Sequence, residues 1–175
     1  MQKGCFLLIG IFIVVSNCRH QKDILQLDLQ LNHTACKQII AQIPPSADRI
    51  HISTSPSWKA WDSLLFNVFS NALKAYVAPY PLNPQATQDK GYTLFIRDQK
   101  NESFLFNESP REFEFAMVLF LNDDIGGGEW SFPEQQMRIE PRCGKLVIYP
   151  VCFTHPHKIE KIRIGKEFFI MTWFF

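Results

Sequence analysis

The sequence predicts a mainly β domain, a jelly roll with helices packed on its outer face, and three observations carry that expectation. Six short segments rich in apolar and β-branched residues fill the second half of the chain, separated by Gly, Pro, Asp and Asn. Two stretches of helical periodicity precede them, an order typical of helices laid on an antiparallel sheet. Sixteen Phe within a composition that is 46% apolar suit a β-rich interior, where flat rings pack on pleated surfaces. With 175 residues the chain can bury one core. A net charge of +1 without a long Lys/Arg block excludes a nucleic-acid footprint.

The amino terminus stands apart from this domain. Lys3 is followed by the mostly apolar run 5–15, then by Ser16, Asn17 and Cys18, then by a polar segment. A cation, a short apolar run and small residues make residues 1–18 a secretory signal peptide, and the run is too short for a comfortable membrane span. Two alternatives stay open, an uncleaved anchor and a bacterial lipoprotein signal with Cys18 as the lipidated residue. Membrane attachment is expected only through one of these. The expected location is therefore the extracellular space or the endoplasmic reticulum lumen, with a bacterial envelope as the alternative. Sequons at Asn32, Asn101 and Asn107 fit a secretory route weakly, because chance supplies one or two. Cys36, Cys143 and Cys152 show no metal-site spacing, and a Cys143–Cys152 disulfide is one pairing an oxidising compartment would permit.

A single domain over residues 24–175 follows. Residues 24–31 alternate as a half-buried strand. Asn32, His33 and Thr34 offer N-cap chemistry for a helix over 35–43, with Cys36, Ile39, Ile40 and Ile43 on one face and Pro44-Pro45 as its stop. Ser55-Pro56 opens a second helix. Trp58, Trp61, Leu65, Val68, Ala72 and Tyr76 recur every three or four residues along it, a stripe about five turns long that reads as core packing. Strands are then expected at 92–96, 114–122, 137–140, 145–149, 157–162 and 167–175.

Residues 118–132, VLFLNDDIGGGEWSF, join an apolar strand to a Gly-Gly-Glu turn and an aromatic residue. Residues 139–150, IEPRCGKLVIYP, run from a Pro and a basic residue through Gly144 into an apolar strand. Residues 153–162, FTHPHKIEKI, with Gly165 after them, form a His-containing final segment. In this order and spacing, and with the opening strand and helix at 24–36, they resemble the prolyl 4-hydroxylase-like members of the iron(II)/2-oxoglutarate dioxygenases. The resemblance implies a double-stranded β-helix, with Fe(II) and 2-oxoglutarate as cofactors.

It also implies a site. Such enzymes hold iron through two His and one carboxylate on one face of the metal, and a basic residue pairs with the far carboxylate of 2-oxoglutarate. His157, eight residues before Gly165, takes the place of the second His. The His-x-Asp half falls on Phe106, Asn107 and Glu108, so Phe106 stands where a ligand is required and Glu108 where Asp is. The basic position falls on Glu167, a reversed charge. Alternation should aim Lys166 to the opposite face. His155, two residues before His157, is a further candidate ligand. Glu108 and Glu167 beside His157 would raise each other's pKa unless a cation lay between them, which would favour a cationic ligand or a different divalent metal.

The reading that follows is a dioxygenase-fold protein with a degenerate iron site, acting by binding an unknown small molecule or peptide. Two others stay open. One is an active hydroxylase with unusual ligands; the other is a carbohydrate- or small-ligand-binding jelly roll that only mimics the signature.

Overall fold

The computed structural model describes residues 24–78, 88–106 and 115–175. The expected leader at 1–18, Glu108 and the sequon at Asn107 lie outside the described residues. In chain order the elements are β1 (Leu25–Leu27), α1 (His33–Ala41), β2 (Arg49–His51), a 3-10 turn (Pro56–Trp58), α2 (Lys59–Val77), β3 (Thr93–Arg97), β4 (Phe104–Phe106), β5 (Phe115–Phe120), β6 (Gly126–Gly127), β7 (Trp130–Phe132), β8 (Met137–Ile139), β9 (Leu146–Pro150), β10 (His157–Ile159), β11 (Ile162–Ile164) and β12 (Glu167–Phe174).

Among the described residues the strands form a major sheet in the order β1-β9-β5-β12-β3-β2 and a minor one in the order β4-β10-β7-β8, with β6 and β11 paired separately. Every pairing is antiparallel. Sequence neighbours such as β9 and β10 lie in different sheets, the crossing pattern of a double-stranded β-helix.

Strand alternation divides the interior in two. On β5, Met117 and Leu119 face the helices, while Ala116, Val118 and Phe120 face the minor sheet. On β9, Leu146 and Ile148 point outward to the helices, and Val147 and Tyr149 point inward. The helix stripe fills the outer core as expected. Trp58, Leu65, Ala72 and Tyr76 are buried, Phe69 joins them, and Trp61 and Val68 pack at the margin. Each large side chain so buried contributes on the order of 1.5–3 kcal/mol.

Several boundaries differ from the expectation, each for a local reason. β1 ends at Leu27 because Leu29 adopts a positive φ of 56° and turns outward. α1 starts at His33 because the Asn32 side chain accepts from the Ala35 N–H at 2.8 Å and caps it there. The strand expected at 157–162 is two strands, since β10 belongs to the minor sheet and β11 pairs with the glycine turn. β2, β4, β6 and β7 had no counterpart in the sequence reading. Cys143 does not pair with Cys152. It is a free thiol packed against free Cys36, whose own thiol is pushed up to about 12 by burial, while Cys152 is disulfide-bonded elsewhere.

The Gly-rich turn is a built feature rather than a slack loop. Gly127 has φ 88°, and a Cβ there would be driven into the Lys161 carbonyl oxygen. Gly128, at φ 79°, has its would-be Cβ 2.6 Å from Ile162 Cδ1. Only glycine lets β6 lie this close to β11.

Candidate functional site

Between the two sheets lies a cavity of about 860 Å³. The inward residues of β3 and β12 form one wall, where Phe95 and Phe169 stack at 5.3 Å. Trp130 of β7 and His157 of β10 form the facing wall, and Tyr149 of β9 closes the corner between them. Arg97 stands at the end of β3 with its side chain only 7% exposed.

His157 begins β10, in direct register with Phe106 of β4. The two positions that the resemblance assigns to the histidines of a facial triad are therefore register partners in one strand pair, and phenylalanine has no atom able to coordinate a metal. The His157 ring is enclosed by aromatics. It stacks on Trp130 at 5.7 Å and 6°, and on Phe132 at 5.2 Å and 26°, with Tyr149 edge-on at 4.9 Å. Its Nδ1 lies 3.4 Å from the His155 carbonyl oxygen and its Nε2 lies 3.5 Å from the Tyr149 hydroxyl. Burial lowers its pKa to about 4, the nearby His155 carbonyl working against that shift, so the ring is neutral at physiological pH. A neutral ring donating at Nδ1 and accepting at Nε2 satisfies both contacts.

Glu167 begins β12 in direct register with Arg97 of β3. Arg97 Nη1 donates to Glu167 Oε2 at 2.7 Å, and Nη2 donates to the Glu160 carbonyl oxygen at 3.0 Å. Glu167 is fully buried. Burial raises its pKa to about 7, with the Arg97 charge and hydrogen bond acting in the opposite direction. Lys166 is exposed, on the other face as alternation requires. The expectation that Glu167 would lie in the pocket as a spare carboxylate awaiting a cation is corrected here, because Arg97 already fills that role.

His155, the further candidate ligand, makes no metal site among the described residues. It is buried in the loop before β10, with Nδ1 3.0 Å from the Thr154 hydroxyl and 3.4 Å from the Cys152 sulfur. Among the described residues no group of three His, Cys, Asp or Glu gathers as metal ligands. Measured against a facial triad, the described donor set does not fit Fe(II): one position is Phe and the His ring is held in an aromatic stack, while the carboxylate position, Glu108, lies outside the described residues. The described residues likewise do not fit 2-oxoglutarate in the usual way, since the position of its cation carries Glu167.

No protein-family model matches the chain. Over 66 residues it is 29% identical to human prolyl 3-hydroxylase 2, a stretch covering 35% of this chain and 9% of that protein. Over 65 residues it is 31% identical to human prolyl 3-hydroxylase 3, covering 34% and 9%. The similarity thus spans about a tenth of the length of these relatives. Solved structures match nearly throughout. A viral collagen prolyl hydroxylase from Paramecium Bursaria Chlorella virus-1 superposes with a TM-score of 0.71 at 12% identity, over 87% of this chain and 90% of that one. The chain has the prolyl hydroxylase fold. A Trichoplax adhaerens prolyl hydroxylase, solved with a hypoxia-inducible factor peptide fragment, matches over 99% of this chain and 94% of its own, with a TM-score of 0.65 at 11% identity.

Within the prolyl hydroxylase fold, the structure pairs His157 with position 106 in the minor sheet and sets Glu167 at the start of β12 in the major sheet. A jelly roll of unrelated topology that merely mimics the signature is thereby set aside. Sequence reasoning missed Arg97 because the expected strand stopped at Ile96 and nothing local links Arg97 to a residue seventy positions on. Trp130 and Trp173, to which the sequence assigned no role, also line the cavity.

Proposed function

We propose that this protein uses the prolyl hydroxylase fold to bind a ligand in the barrel cavity and does not carry out iron-dependent hydroxylation at it. The observation that carries this reading is the pair of registers, His157 opposite Phe106 and Glu167 opposite Arg97. The first removes a metal ligand. The second ties up, in a buried ion pair, the position from which a cation would hold 2-oxoglutarate. The cavity remains large, with walls rich in aromatic side chains and a few charged groups, a composition suited to a small molecule or the side chain of a peptide. The amino-terminal pattern of a cation, an apolar run and small residues supports entry into the secretory pathway, so the ligand belongs to that compartment or to the extracellular space.

Turnover tests the reading. Purified protein in air with Fe(II), ascorbate, 2-oxoglutarate and proline-rich peptides should release no succinate above the level without enzyme. Succinate release that disappears in His157→Ala would establish an active oxygenase and sink the proposal.

A further inference from the structure

Cys36 and Cys143 are the free cysteines among the described residues, and they meet in the outer core, away from the cavity. Cys36 sits in the first turn of α1, and Cys143 in the turn that leads into β9. The Cys36 thiol touches both the Cys143 thiol and the Gly144 backbone. The chain around the pair is tied on both sides. Gln30 N–H donates to the Gly144 carbonyl oxygen at 2.8 Å, and Gly144 N–H donates to the Phe120 carbonyl oxygen at 2.9 Å. Gly144 has φ 78°, and a Cβ there would run into the Leu31 carbonyl oxygen. Glycine at this position therefore lets the segment before α1 lie directly on the turn. The two thiols are held together by their backbones.

As packing residues they add little, because a buried thiol behaves as a small hydrophobe with weak hydrogen-bonding power. What sets two adjacent thiols apart from other small side chains is that they can lose two protons and two electrons and join.

We propose that Cys36 and Cys143 form a dithiol site that closes to a disulfide by exchange with a small disulfide of the glutathione class, fastening α1 to the turn before β9. Cys143 reacts first, being 8% exposed where Cys36 is wholly buried. Its thiolate attacks one sulfur of the oxidant, whose S–S bond breaks, and one glutathione thiolate leaves with the electron pair. The Cys36 thiol, pushed up to about 12 by burial, gives up its proton as its sulfur attacks that of Cys143. The second glutathione leaves from the mixed disulfide. The protons of both cysteines end on the two glutathione thiols, and the oxidant gains the two electrons the protein loses. Burial raises the Cys143 thiol as well, so closure is slow. The bond closes a loop of about a hundred residues, long enough to restrain the unfolded chain strongly. It also holds the opening strand and helix to β9, whose inward Tyr149 packs on His157 in the cavity wall.

The test starts from the fully reduced full-length chain, brought to equilibrium with oxidised and reduced glutathione in native buffer. Thiols are then trapped by acid and alkylation, and the links are mapped by peptide mass spectrometry. About nine in ten chains should yield a linked Cys36–Cys143 peptide. In denaturing urea the same mixture should favour a link between the neighbours Cys143 and Cys152, because the shorter loop closes more readily. Oxidation should raise the wild-type Tm roughly 5–10 °C more than it raises that of Cys36→Ala or Cys143→Ala. Native chains in which Cys36 and Cys143 stay unlinked, as free thiols or glutathione adducts, overturn the proposal. A Cys143–Cys152 link in native buffer overturns it too. An equal rise in Tm for wild type and variants overturns the fastening role. The wild-type peptide map decides whether the site exists even where an alanine substitution fails to fold.

Discussion

The two faces of the major sheet bury comparable side chains to different ends. The outer face meets α1 and α2 through Leu65, Phe69, Leu94, Met117, Leu119 and Ile170, an apolar contact in which shape decides everything. The inner face, on the same strands and one residue out of phase, keeps Arg97 and Glu167 out of water and looks across a cavity at His157. Burying ionisable groups is unfavourable unless each is partnered. The outer face therefore fixes the fold, and the inner face carries charges that the fold alone does not need. It is also the inner face on which the proposed loss of iron and 2-oxoglutarate chemistry rests.

Breaking each face should expose the contrast. Arg97→Leu leaves Glu167 buried without its cation and should cost about 3–5 kcal/mol at pH 8, read by urea denaturation. At pH 5, where Glu167 is protonated, the same variant should lose much less. Phe69→Ala, at the centre of the outer core, should cost a similar ~3–5 kcal/mol, but equally at both pH values. A matching pH response in the two variants would erase the distinction between the faces.

The pH dependence of the wild-type protein sharpens it further. Glu167 has its folded pKa raised to about 7, so the stability it contributes is present below its ordinary value near 4.5 and is lost as pH rises toward 7. His157 has its folded pKa lowered to about 4, so its contribution is present above its ordinary value near 6.5 and is lost as pH falls toward 4. Between about pH 4.5 and 6.5 the two slopes oppose and nearly cancel. Glu167→Gln should uncover a stability that rises with pH by up to ~1.4 kcal/mol per unit in that window. His157→Phe should uncover the reverse slope. Parallel denaturation series for the two variants, showing no divergence, would disprove the assignment.

The smallest expected effect lies at the outer edge. Asn32→Ala removes the side-chain acceptor for the Ala35 N–H and should cost about 1 kcal/mol, without changing the pH response.

How far the sequence foretold this molecule depends on how far its signals reach along the chain. The α2 stripe repeats over nineteen residues, and β5, β9 and β12 carry long apolar runs, so their existence was legible. β2, β4 and β7 have three residues each, too few to show a period, and they exist because neighbouring strands offer them partners. His157 was singled out by its distance to Gly165, whereas its register with Phe106 comes from the pairing of β10 with β4, which no local signal in the sequence shows. Arg97 was not legible. A lone Arg after an apolar strand is ordinary, and only the antiparallel register of β3 with β12 makes it the partner of Glu167. The meaning of Glu167 changed with it, from a reversed charge to one half of an ion pair.

The central claim is that the hydroxylase fold here has given up its iron and 2-oxoglutarate chemistry while keeping its cavity. Anaerobic titration of the protein with Fe(II) and 2-oxoglutarate tests it most directly, through the visible charge-transfer band of a ternary complex. The account predicts a spectrum no different from Fe(II) and 2-oxoglutarate alone, in the wild type and in His157→Ala equally. A band that grows in with saturation in the wild type and is lost in His157→Ala would contradict it.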